Sequence, residues 1–153
     1  MFITNSKIKA LSNKLIILDI DGTIAYDNQH DIDTAVIDII KILKRKNDIY
    51  LCSNSRNTQR NAIISDATHI PLIISPYRKP SKKIIRYIKK STHTDIVVIG
   101  DKFLTDGIFS IRIKGDFIKV RRLRSGEERP STKLFNLLDD IAYFIWKKMG
   151  KIS

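Results

Sequence analysis

A single cysteine, Cys52, stands in a chain of 153 residues. No intramolecular disulfide can form, and a chain this long buries a sufficient core without covalent staples. The lone thiol fits a reducing compartment. The three histidines, His30, His69 and His93, are scattered and make no metal-ligand pair. Cys/His finger spacings and paired RNA-binding aromatics are missing, so the recognised nucleic-acid modules are not indicated. No apolar run approaches the ~20 residues that a membrane span needs. The opening MFITNSKIKALSNK lacks the apolar core and small-residue cleavage site of an export signal. We expect an intracellular protein, cytoplasmic or peripheral to a membrane. Acidic residues are the scarcer charge. Against 28 Lys+Arg stand 16 Asp+Glu, a formal net charge of +12. Such an excess favours anionic partners, whether phosphate esters, nucleic acid or an anionic membrane surface. A merely solubilising surface would look the same.

What is present is an alternation of strand and helix. KLIILDI is a continuous apolar run ending at Asp19, as expected of a strand covered on both faces. From Thr34, apolar residues Val36, Ile37, Ile40 and Leu43 recur at helical spacing, and KRKND closes the segment with positive charge. IYLCSNS is a second short strand, the segment from Arg56 to about His69 a helix, and PLIIS a third strand. KPSKKIIRYIKK reads as a helix with Pro80 near its first position. DIVVIGD is a fourth strand, FSIRI and FIKVRRL shorter strands or a hairpin, RSGEERPS a polar loop. The last helix covers about 132–149. The pattern predicts one α/β domain over 1–153, a Rossmann-like three-layer sandwich around a mostly parallel sheet. In such sheets ligands bind beyond the carboxyl ends of the strands.

Polar residues collect at those ends. Asp19 and Asp21 follow the first strand, Ser53 and Asn54 the second, and Asp101 follows Gly100 after the fourth, with Asp106 five residues on. Lys79 follows the third strand. Two converging carboxylates repel unless a cation sits between them. Mg²⁺ is the natural partner, a hard ion that takes carboxylate and backbone oxygens. Lys79 offers a compact positive charge, Ser53 a hydroxyl, and the turn after it backbone N–H groups near a helix start. Together these parts suit phosphoryl transfer, with metal and lysine neutralising phosphate oxygens while a carboxylate attacks in line.

LDIDGT, LCSNS, RKP and IGDKFLTD resemble, in order, the four signature motifs of the haloacid dehalogenase (HAD) superfamily of phosphatases. The resemblance covers about residues 14–110. It implies that Asp19 is the nucleophile and Asp21 the general acid/base, and that Ser53, Asn54 and Lys79 lie at the phosphoryl group. It implies Mg²⁺ on Asp19, Asp101 and the Asp21 carbonyl, with Asp106 supporting the site from behind or through Lys79. Only 32 residues separate Asp21 from Ser53 and 26 separate Ser53 from Lys79, too few for a sizeable cap after one helix and one strand. An open site suits a large or lipid-borne phosphorylated substrate, and no obligate protein partner is implied. Within the superfamily the chain is most similar to the capless phosphatidylglycerophosphate phosphatase-like branch, through SNS, KP and GDKFLTD. It departs from that branch after the fourth motif, where FSIR retains only Arg112. A polynucleotide-end or phosphoprotein phosphatase, and a catalytically idle anion-binding module, are the alternatives.

Two further stretches have two readings each. In the tail helix Leu134, Leu138, Ile141 and Ile145 form a stripe that Leu137, Phe144 and Trp146 broaden, followed by Lys147 and Lys148. It is a membrane-surface helix or, as we expect, a closing helix packed on the sheet through that stripe. Asp139 and Asp140 count against an acidic membrane. Arg121, Arg122, Arg124 and Arg129 in KVRRLRSGEER either grip phosphate groups or decorate a solvated loop.

Overall fold

A computed structural model describes residues 6–27, 29–89, 91, 93–123 and 130–149. Its frame is a four-stranded parallel sheet in the order β2-β1-β3-β4, formed by β1 (Leu15–Leu18), β2 (Asp48–Leu51), β3 (Ile96–Gly100) and β4 (Asp116–Lys119). The register aligns Leu18 with Leu51 on one side and with Ile99 on the other. The strands β1, β2 and β3 therefore end level, and the residues after them emerge along one edge.

Side chains of a strand alternate between faces, and each face of this sheet meets its own layer. Ile16 and Leu18, with Ile49, Leu51, Val97 and Ile99, pack against Ile8 of α1 (Ser6–Lys9), Val36, Ile39, Ile40 and Leu43 of α2 (Thr34–Lys44), and Ile64 of α3 (Thr58–Thr68). Ile17, Val98 and Phe117 face the other way, onto Ile84, Phe103, Phe109 and the inner side of α5 (Pro130–Lys148). The three-layer α/β architecture is the expected one. Asp33 caps α2 by accepting from Ala35 N at 2.8 Å, and Asn57 caps α3 by accepting from Arg60 N at 3.0 Å.

The structure corrects several local expectations. PLIIS forms no strand of the sheet, only a single parallel bridge from Leu72 to Leu51. Ile74 within it is 81% exposed, so the apolar run is longer than the surface it has to bury. KPSKKIIRYIKK yields a 3-10 helix over Lys82–Tyr87, two residues beyond Pro80. Only Ile84 is fully buried there, too little apolar contact to hold a longer helix against the sheet. FSIRI is α4 (Ile108–Arg112) and not a strand. It continues a single π-helical turn, Phe103–Gly107, whose Phe103 and α4's Phe109 are both fully buried. FIKVRRL does supply β4, parallel to β3, so no hairpin forms. Residues 124–129 of the polar loop, Arg124 and Arg129 among them, lie outside the described residues.

The tail is a helix, but its packed face is not the predicted stripe. Ala142, Tyr143 and Trp146 join the core, and Asn136 and Asp139 are buried. Leu134, Leu138, Ile141 and Ile145 are about half exposed, as are Leu137 and Phe144. Asp139 takes the inward position and meets the donors described below, Tyr143 and Trp146 pack beside it on Phe103, and rotating the leucine stripe inward would turn all three out.

Candidate active site

The chain runs from β1 to one neighbour, β2, and then to the other, β3, so the carboxyl ends of β1 and β3 mark the point where strand order reverses. Such crevices are where open α/β sheets bind ligands. Asp19 and Asp101 emerge there side by side, Asp19 N donating to Ile99 O at 2.9 Å. Gly22 turns the chain with φ +75°, and a Cβ there would stand 2.6 Å from Asp101 Oδ2. Glycine is required on both counts. The turn closes through Gly22 N to Ala25 O at 2.9 Å.

The predicted residues converge. Lys79 Nζ donates at 2.5 Å to both Asp19 Oδ1 and Asp106 Oδ1, and all three side chains are buried. Thr23 Oγ1 donates to Asp19 Oδ2 at 3.2 Å. Asp19, Asp101 and Asp106 each bring a carboxylate oxygen within 4.8 Å of the others. Ser53 Oγ donates to Asp21 Oδ2 at 2.9 Å and accepts from Ser55 N at 2.9 Å. Asn54 uses both ends of its amide on the Lys79 backbone, Nδ2 donating to Lys79 O and Oδ1 accepting from Lys79 N, each at 2.8 Å. It thereby fixes the lysine from outside the sheet. A cavity of about 310 Å³ opens over this group, lined by Asp19, Asp21, Asp27, Asn54, Ser55, Lys79, Lys102 and Thr105.

Burial is the largest influence on the Asp106 and Asp101 carboxyls. It raises the Asp106 carboxyl to about 7, against the opposing charge of Lys79 and with help from Asp19 and Asp101. It also raises Asp101, against Lys102 and Arg122 and with Asp19 adding to the rise. For Lys79 burial acts downward, but Asp106 and Asp19 outweigh it and hold the ammonium well above its ordinary value. The ammonium form of Lys79 is thereby favoured. Burial likewise lifts the Cys52 thiol to about 11, which makes it an inert core group.

Three charged side chains that sequence reasoning did not assign complete the site. Arg60 on α3 is buried and donates from NH1 to Asp21 Oδ1 at 2.7 Å, from Nε to Gln29 O at 2.5 Å and from NH2 to Tyr26 O at 3.1 Å. Arg122, expected to face phosphate or solvent, instead donates from Nε to Asp101 Oδ2 at 2.5 Å and from NH2 to Asp101 O at 3.2 Å. Asp139 on α5 accepts from Phe103 N at 2.9 Å and Leu104 N at 2.7 Å, and pairs with Lys119 Nζ at 2.8 Å. It caps the π-helical turn that carries Asp106. A charged residue among the polar ones of α3, and an aspartate inside an apolar helix, were the available signals. Neither names its partner.

The donor set fits a hard divalent cation. Asp19 and Asp101 are adjacent, buried carboxylates, and the chain turns back beside them at Gly22. Asp19, Asp21, Asp101 and Asp106 pair with Lys79, Lys102, Arg60 and Arg122, and Asp27 adds a further carboxylate at the cavity.

Comparison with known proteins gives the family. The model of the mitochondrial PGP phosphatase family matches residues 3–120. No curated protein is significantly similar to the chain. Among solved structures, the chain is similar to YfnB of Bacillus subtilis, assigned as a HAD-hydrolase and solved bound to magnesium, with 17% identity and a TM-score of 0.49 over 57% of this chain and 44% of that one. It is also similar to a chain of the Pnkp1/Rnl/Hen1 complex, with 14% identity and a TM-score of 0.49 over 84% of this chain and 50% of that one. The chain thus spans about half the length of these two. The family match takes in β1 to β4 and every site residue from Asp19 to Asp106, so the chain belongs to the mitochondrial PGP phosphatase family of HAD-like phosphatases.

Proposed function

We propose that the chain is a Mg²⁺-dependent phosphomonoester hydrolase that works through an aspartyl-phosphate on Asp19, with a phosphatidylglycerophosphate-like lipid head group as substrate. The observation that carries this reading is Lys79 Nζ bridging Asp19 and Asp106 at the floor of an open polar cavity. A carboxylate nucleophile needs a fixed cation beside it, so that the incoming phosphoryl oxygens are met by positive charge and not by bare carboxylate.

Asp19 attacks phosphorus in line, forming a P–O bond to its carboxylate as the bond to the leaving alcohol oxygen breaks. Thr23 and Lys79 hold the carboxylate in place. Asp21 gives a proton to the departing oxygen and takes one from the water that then attacks phosphorus, freeing phosphate and restoring Asp19. Ser53 and Arg60 orient the Asp21 carboxyl. Asp19, Asp101 and the Asp21 carbonyl would hold Mg²⁺, which neutralises phosphoryl oxygens when bound. The carboxylates of the lining support a divalent cation, and Lys79 and Lys102 beside them support a phosphate. The family's name supports the lipid substrate. Between Asp21 and Ser53 the described chain holds α2 and β2, and between Ser53 and Lys79 it holds α3. Neither interval builds a cap over the cavity, which suits a head group presented at a surface.

The test is phosphate release from phosphatidylglycerophosphate, an aryl phosphate and 3′- or 5′-phosphorylated oligonucleotides, each with Mg²⁺ and with chelator. We expect Mg²⁺-dependent release, fastest from the lipid. Preference for an oligonucleotide end would overturn the substrate assignment. Release from none, by a folded protein that binds Mg²⁺, would overturn the enzyme.

A further inference from the structure

Helix α5 is amphipathic in the reverse sense. Its inward side is Asn136, Asp139, Ala142, Tyr143 and Trp146, and its outward side presents Leu134, Leu137, Leu138, Ile141, Phe144 and Ile145. Single exposed apolar residues need no explanation. Six on one face of a helix about 28 Å long form a continuous patch of the kind that marks an interaction surface. We propose that this face docks on an anionic lipid surface, the helix lying in the interface plane.

Charge selects this occupant. Lys133 stands near the start of the helix, and Lys147 and Lys148 at its end. Lys148 lies with its Nζ 4.8 Å from the Phe144 ring centroid, its stem along apolar surface and its ammonium at the edge. Asp140, the exposed carboxylate between them, is paired with Lys119 at 3.0 Å, which lessens the repulsion expected from it. A second copy of the chain fits less well. Antiparallel packing of two α5 helices would set Lys133 beside Lys147 and Lys148 of the other, and parallel packing would set each lysine beside its twin. An anionic plane meets all three with opposite charge, and apolar burial plus electrostatic attraction is how interfacial helices bind. No helix of the described residues is long and apolar enough to cross a membrane, so the contact is peripheral. Asp139 links α5 to the turn whose Lys102 and Thr105 line the cavity.

The experiment is flotation of the protein with vesicles of phosphatidylcholine, with and without phosphatidylserine, in the absence of substrate. Phosphatidylserine carries no phosphomonoester, so retention reports docking and not substrate capture. We expect flotation with the anionic vesicles at low salt. Lys147→Glu/Lys148→Glu should weaken it by at least about tenfold. Leu138→Glu/Ile145→Glu should abolish it while helical circular dichroism and aryl phosphate hydrolysis stay unchanged. Asp19→Asn should float as well as the parent, which separates this inference from the chemistry proposed above. Absence of flotation by the parent at low salt would overturn the proposal. So would a dimer in solution that Leu138→Glu/Ile145→Glu turns into monomers, with no vesicle binding by either.

Discussion

Asp21 has two partners in this site, Ser53 and Arg60, and only Ser53 sits in a motif. The arginine matters because its three nitrogens tie three separate pieces of chain: the carboxylate of Asp21 and the carbonyls of Tyr26 and Gln29. A planar fork is suited to this and an ammonium is not. Arg60→Met should leave Asp21 free to swing and lower kcat by roughly tenfold to a hundredfold with a smaller change in KM. Arg60→Lys should rescue little, because the donors of one ammonium nitrogen cannot reach the three acceptors that the planar fork spans. Steady-state kinetics on an aryl phosphate check both, and full activity in Arg60→Met would show that Ser53 alone positions the acid. At this scale the sequence was informative wherever chemistry forces a residue type at a strand end. Asp19, Asp21, Ser53, Lys79, Asp101 and Asp106 all reach one site. It was silent on Arg60 and offered only phosphate or solvent for Arg122, because an arginine reads the same whether it meets solvent or a carboxylate 39 or 21 residues away.

Elements tell a similar story one level up. The strand β1 was legible because burial on both faces demands a continuous apolar run, and α2 because one apolar face demands helical spacing. PLIIS and FSIRI misled for a shared reason. A short apolar run says that something is buried without saying in what conformation. In the first the run makes two backbone bonds to Leu51 and then leaves the sheet at the exposed Ile74. In the second Phe109 is buried by a helix that extends the π-turn from Phe103. That turn depends on α5. Asp139 accepts from its first two N–H groups and is the partner of Lys119, with Arg122 3.6 Å away. Asp139→Ala would uncap the turn and leave Lys119 with Asp140 and Arg122 with Asp101 alone, and should cost about 1–3 kcal/mol of stability. Urea unfolding checks this. Activity should fall as well at temperatures where the variant is still folded, because Asp106 rides on the same turn. An unchanged unfolding midpoint would mean that α5 closes the fold through Tyr143 and Trp146 alone.

For the whole molecule, the formal net charge of +12 and the buried carboxylates belong to different regions. Lys79, Lys102, Arg60 and Arg122 pair locally with the carboxylates of the site, and further positive charge lies elsewhere, part of it at the ends of α5. The outward apolar face of α5 and its lysines were both visible in the sequence. Which way the helix faced was not, because a stripe of leucines does not say whether it meets the core or the outside. The measurement that bears most directly on the site is the fate of the phosphoryl group. The enzyme is mixed with Mg²⁺ and a fast aryl phosphate, quenched in acid within the first turnovers, digested and weighed peptide by peptide. We expect one added phosphoryl group on the peptide holding Asp19, absent in Asp19→Asn, which should also lose steady-state turnover. Turnover surviving in Asp19→Asn, or a phosphoryl group on any other residue, would contradict the assignment of Asp19 as the nucleophile.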